Sequence, residues 1–181
     1  MLNRILAIAA LAVGGLLLSK KLKKKKAAGA TASIAESVEV NVPVKTAYNQ
    51  WTQFEDFPQF MKSVKEVRQL DDKHLHWRAN VAGEEKEWDA EITEQLPDKR
   101  IAWHSTNGVR NGGVVTFHKV SDNCTRIMLQ MDYEPEGAQE TIGDSVGAVR
   151  MEARASLSNF KDLLERRGAA TGAWRGQSAQ H

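Results

Sequence analysis

Between Gln139 and Arg166 the apolar residues Ile142, Val146, Val149, Ala153, Leu157, Phe160 and Leu164 recur every three or four positions. That spacing puts them on one stripe of an α-helix, while Glu140, Asp144, Glu152, Lys161 and Glu165 point elsewhere. Acids lead the segment and Arg166 and Arg167 close it, as the helix dipole favours; Gly168 supplies a stop. A helix of this length rises roughly 40 Å. It needs a broad apolar surface to lie on.

The preceding residues build one with period two. Glu36 to Val42 alternates, with Val38, Val40 and Val42 on one face, and Pro43 ends that strand. Val44, Ala47, Tyr48 and Trp51 then have helical spacing, and Phe54, Phe57 and Phe60 around Pro58 predict a second short helix. Further strands are marked by Val64 and Val67, by Leu75 to Val81, by Trp88 to Ile92, by Ile101 and Trp103, by Val115 and Phe117, and by Ile127 to Tyr133. Turn signals at Asp71–Asp72–Lys73, Gly83–Glu84, Pro97–Asp98, Asn111–Gly112–Gly113 and Ser121–Asp122–Asn123 separate them. Consecutive hairpins imply an antiparallel meander with one wet face. The predicted class is α+β: one strand, two short helices, about six strands, then a sheet gripping its long terminal helix.

Charge changes the picture at the N-terminus. Residues 1–26 hold Arg4 and six lysines with no acid, so the other residues carry 18 basic against 23 acidic side chains, a net of −5. The folded part is acidic, which argues against nucleic acid as a partner. Ile5 to Leu18 is an uncharged apolar run with Lys20, Lys21 and Lys23 to Lys26 just behind it. Those lysines favour a retained anchor over a cleavable signal, which carries a neutral cleavage site. By the positive-inside rule they put the domain on the cytoplasmic side. Export after cleavage near Ala28 to Ala32 is the alternative, and a helix lying on the membrane surface is a third. Residues 1–26 thus read as anchor and polybasic stem, 27–35 as a flexible linker, 36–167 as the domain and 168–181 as an unstructured tail. The lone Cys124 excludes an internal disulfide.

The element order, with the stretches VNVPVKTAYNQWTQFEDFPQFM, LHWRANVAGEEKEWDAEITEQLPDKRIAWHST, GGVVTFHKV and LQMDYEPEG, closely resembles the polyketide cyclase/dehydrase-like branch of the SRPBCC (START-like) superfamily, which includes coenzyme Q-binding START proteins. The resemblance spans about Ser37 to Glu165. It implies a helix-grip fold: a curved antiparallel sheet around the C-terminal helix with a deep apolar cavity. Cargo varies among members, which include lipid carriers, quinone-binding proteins and aromatase/cyclases, so the fold does not decide the activity.

Residue chemistry points to binding rather than catalysis. His76, His104 and His118 fall opposite Trp77, Trp103 and Phe117 in strand phase and are expected on the solvent face. Asp89, Glu91 and Glu94 likewise read as a solvated acidic face, and Arg126 and Asp132 as cross-strand partners. No nucleophile elbow, phosphate loop, zinc or dinucleotide motif occurs, and no cofactor is implied. Trp51, Phe54, Phe60, Trp77, Trp103, Phe117 and Leu129, with Ile142, Val146 and Val149 on the helix, are the expected lining of the cavity. Tyr48, Ser105, Tyr133 and Gln139 are candidate polar anchors in it. The expected partner is a lipid, quinone or polycyclic aromatic molecule, and the membrane through residues 1–26; oligomeric state is left open. The competing expectation is a cyclase/dehydratase-type enzyme, which needs an acid or base on the cavity wall.

Overall fold

A computed structural model describes residues 31–134 and 142–176, with side chains in the second segment from residue 146 onward. Strand β1 (Ala32–Val40) leads into helix α1 (Val44–Trp51) and a 3₁₀ helix (Phe54–Gln59). Strands β2 (Val64–Gln69), β3 (His74–Val81), β4 (Glu84–Leu96), β5 (Arg100–Ser105), β6 (Asn111–Ser121) and β7 (Cys124–Tyr133) follow, then helix α2 (Ile142–Arg167). The strands form one antiparallel sheet in the order β1-β7-β6-β5-β4-β3-β2. This is the expected helix-grip, START-like fold.

Three boundaries differ from the sequence reading. Strand β1 starts at Ala32, inside the expected linker, because β7 runs out to Tyr133 and offers a partner to every residue from Ala32 to Val40. Gly112 and Gly113 lie inside β6, paired with His104 and Trp103, and the chain turns instead at Gly108, which has φ +66°. Residues 168–176 have no regular secondary structure, yet they are hydrogen-bonded across α1. Thr171 N donates to Gln50 Oε1 at 2.9 Å, Trp174 N donates to Thr52 Oγ1 at 3.2 Å, and Arg175 grips Asp98 at 2.5 and 2.8 Å. The anchor run Ile5–Leu18 lies outside the described residues. Among those described, no helix is long and apolar enough to cross a membrane.

Directly paired residues of antiparallel strands share a face. Phe117, Ile127 and Val38 form one inward row, and Ile101, Val115, Leu129 and Glu36 the next. Helix α2 lays its buried stripe of Ala153, Leu157, Phe160 and Leu164 on this face. Polar clasps hold its C-terminal third: Asn159 Nδ2 to Phe60 O at 3.0 Å, Lys161 Nζ to Glu39 O at 2.8 Å, and Asn41 N to Glu165 Oε1 at 2.8 Å. Gly168 adopts φ +68° and returns its N–H to Leu164 O at 2.7 Å, ending the helix where a glycine was expected to end it.

Candidate functional site

The space between sheet and α2 has two unlike ends. At one, Trp51 meets Phe160 at 4.9 Å between ring centroids, Phe57 at 5.6 Å, Phe60 at 6.0 Å and Phe117 at 6.2 Å. Phe54 packs on Phe57 at 5.5 Å, and Phe60 on Phe160 at 4.9 Å. These edge-on contacts are ordinary core packing. Of the expected lining, Trp51, Phe54, Phe60 and Phe117 are thus brought together, but against one another. Leu129 is buried on β7, between β1 and β6.

At the other end the inward face is left half-covered. Trp77, Trp88, Trp103, Met131, Val146 and Val149 are partly buried and border the core. Trp77 and Trp88 stack at 5.6 Å with 9° between their planes. The Trp103 indole lies over Gly113, where a Cβ would come within 2.9 Å of its ring, and its Nε1 donates to Asn111 Oδ1 at 3.2 Å. A side chain at 113 would displace the indole. Helix α2 is tied beside this end through Ser63 Oγ to Glu152 Oε1 at 2.9 Å. Trp77, Trp103, Val146 and Val149 are thus all partly buried at the margin of the core, Trp77 meeting Phe57 at 5.6 Å. The Ile142 side chain and Gln139 lie outside the described residues.

Several residues of this region were not singled out from the sequence. Trp88 and Met131 share strand parity with Ile92 and Leu129, which was the available signal. Glu36 has the parity of Val38 and Val40, and it too faces inward: its carboxylate is only 12% exposed. Arg154 Nε and Nη2 donate to its two oxygens at 3.1 and 3.2 Å, and Arg150 Nε stands 3.6 Å away. Of the expected anchors, Ser105 Oγ accepts from Asn111 N at 3.0 Å and Tyr133 is buried. Tyr48 belongs to the packed end. Burial pushes its phenol up to about 12, and the neighbouring Gln95 amide offsets part of that rise, although no hydrogen bond of good geometry joins the two buried groups.

The outward face is a lattice of paired charges. His76 Nδ1 lies 2.7 Å from Asp89 Oδ1, His104 stands 3.8 Å from Glu91, and His118 Nε2 is 2.9 Å from Thr116 Oγ1. Hydrogen bonds from His76 and then Asn107 hold the Asp89 carboxyl below its usual range. Arg126 and Asp132 are not partners. Six positions apart on β7, they reach across to β1 instead, Arg126 to Glu39 at 2.7 Å and Asp132 to Ser33. A cleft of about 820 Å³ is lined mainly by outward-facing Ala35, Ala102, Gly112, Val114, Gln130 and Asp132, and is bordered by Trp103, Ile34 and Arg150. Another, of about 540 Å³, lies in the β5–β6 loop around Asn107 and Arg110. Among the described residues no group of His, Cys, Asp and Glu could hold a metal ion.

Comparison with known proteins places this geometry. Residues 40–161 match the sequence model of the family described as polyketide cyclase/dehydrase and lipid transport. The chain belongs to that family. A 17.2 kDa protein of Streptomyces lincolnensis, itself of uncharacterised function, is 51% identical over 144 residues, which is 79% of this chain and 96% of the relative. Among solved structures, one from Deinococcus radiodurans is 25% identical with a TM-score of 0.60, covering 75% of this chain and 99% of that one. The Zhui aromatase/cyclase of Streptomyces sp. R1128 is 17% identical with a TM-score of 0.65, covering 80% of this chain and all of its own. A START superfamily protein of Mycobacterium smegmatis is 15% identical with a TM-score of 0.63, covering 72% and 98%. At those last two identities the likeness is one of fold. Membership in the family supports binding of a hydrophobic small molecule or a cyclase role.

Proposed function

We propose that this chain is a binding module that holds an apolar, largely aromatic small molecule at the half-covered end of its grip, tethered to the cytoplasmic face of a membrane by residues 1–26. The observation that carries the reading is the uneven inward face. Trp77, Trp88 and Trp103 together with Met131, Val146 and Val149 are left partly exposed beside a fully packed aromatic core. Exposed apolar surface of that kind gains about 25 cal/mol per Å² when a ligand covers it, and flat indole faces suit planar rings. A lipid, a quinone or a polycyclic compound meets that description.

The second reading is a cyclase or dehydratase, and the observation in its favour is a carboxylate on the inward face. Glu36 is that group, but both of its oxygens are committed to Arg154. A general base must stand within hydrogen-bond reach of its substrate's proton, whereas this carboxylate is turned to Arg154 and Arg150, so binding is the stronger reading. Native mass spectrometry of the full chain, extracted from its source in mild detergent, is the test. A co-purifying apolar molecule is expected. Conversion of that molecule by the purified chain would favour the enzyme, and an empty protein that takes up no aromatic probe would overturn the binding module. The tether is tested separately by fractionation and N-terminal sequencing. The expected result is an intact stem in the membrane fraction; a mature start within Ala28–Glu36 overturns it.

A further inference from the structure

Glu36 is an unusual choice for its position. In its row across the sheet stand Leu129, Val115 and Ile101, all buried, and an apolar residue there would continue the wall. A carboxylate in such a place loses hydration, and replacing a poorly hydrated ion pair by apolar groups is often neutral or stabilising. Stability therefore does not account for it. Its effect is on the two arginines of α2. Arg154 is locked in a two-pronged contact, whereas Arg150 approaches one carboxylate oxygen only to 3.6 Å. That distance is too long for a hydrogen bond. Arg150 makes no other ion pair among the described residues, and it borders a cleft beside Trp103 and Ile34.

Two guanidiniums against one carboxylate leave a local excess of one positive charge beside Trp103, while the other charged residues of the cleft are held elsewhere, Arg100 by Glu94 and Asp132 by Ser33. We infer that Arg150 reads an anionic group on the ligand, so that the molecule held here is an amphiphilic aromatic acid: rings against Trp103, Trp88 and Val149, carboxylate on the Arg150 fork. Guanidinium geometry matches a carboxylate in two-pronged fashion, and Glu36 keeps Arg154 from competing for it. This inference rests on the binding-module reading and sharpens it from any apolar molecule to an acid.

The test compares 1-pyrenebutanoate with 1-pyrenebutanol, which share rings and chain and differ in the charged end. Binding to the full chain in maltoside micelles is read by native mass spectrometry and by energy transfer from tryptophan to pyrene. The acid is expected to bind about tenfold tighter than the alcohol, the size of one charge-assisted contact. Arg150→Gln should abolish that preference and leave the alcohol unchanged, Arg150→Lys should restore part of it, and Arg126→Gln, the same charge change on the outward face, should keep it whole. Should Arg150→Gln fail to fold, as judged by its thermal transition, the Arg150→Lys and wild-type arms decide alone. Equal binding of acid and alcohol by the wild type, or a preference that survives Arg150→Gln, overturns the anion reader and leaves the binding module standing. Uptake of neither probe overturns both.

Discussion

The two ends of the grip are made of the same residue types and do different things. At the packed end, α1, the 3₁₀ helix and the C-terminal half of α2 bring Trp51, Phe57, Phe60, Phe117 and Phe160 within ring contact, and every one of them is buried. At the half-covered end Trp88 and Trp103 sit on the same inward face without such a cover, and Trp77 marks the border, its ring 5.6 Å from Phe57. The difference lies in what stands opposite. The 3₁₀ helix supplies Phe54 and Phe57 to the packed end and Phe60 follows directly, whereas the described part of α2 offers only Val146 and Val149 beyond its buried stripe. An aromatic side chain is therefore not a mark of a ligand site in itself. It becomes one where the opposite wall is too small to cover it.

Paired truncations put the largest effect on this contrast. Phe160→Ala should cost about 3–5 kcal/mol of unfolding free energy in urea titrations, as fully buried phenylalanines do. Val149→Ala, on the same stripe but half-buried, should cost less than about 1 kcal/mol. Comparable losses at the two sites would mean that both ends are packed core.

A second effect belongs to the packed end and appears only in alkali. Tyr48 ionises near pH 10 in the unfolded chain but is pushed up to about 12 when folded. The folded state thus holds this proton more tightly, so the contribution to stability is complete below pH 10 and is lost as pH rises toward 12. Denaturation at pH 8 and pH 11 should show the fall in wild type and a smaller one in Tyr48→Phe.

Smaller effects sharpen the comparison. A Cβ on exposed Gly147 would meet nothing within 4 Å. Gly147→Ala should therefore stabilise the chain by up to about 1 kcal/mol through helix propensity alone. If the first turns of α2 move to admit ligand, the same variant should load a pyrene probe more slowly in stopped-flow measurements; unchanged loading removes the gate. Arg175→Gln cuts the strap that joins residue 175 to Asp98 over the packed end, a half-exposed pair worth about 0.2–1 kcal/mol in thermal melts. Least of all should change when His76, His104 and His118 become Gln together. All three belong to the outward face, so probe binding should be retained, and its loss would move the site outside the grip.

Much of the chain could be read before it was folded. Period two and period 3.6 alone mark the seven strands and the terminal helix, because burial on one face of each element imposes them. The inward phase of Trp77, Trp103 and Leu129 follows from the same parity. Parity also pointed to Glu36, but an acid is easily taken for a solvent-facing residue, and its inward position becomes visible only through its ladder with Leu129 and its clasp by Arg154.

What the sequence by itself determined is which face each side chain takes and where each element stops, since local periodicity, Pro43, Gly168 and the hairpin turns decide those within a few residues. What only the tertiary structure decided is the division of one aromatic wall into core and site. That division depends on residues far apart in the chain: Phe60 and Phe160 closing on Trp51, Gly113 yielding its place to the Trp103 ring, and Arg150 and Arg154 meeting Glu36. Periodicity records whether a residue turns from water. It does not record what it meets when it does so.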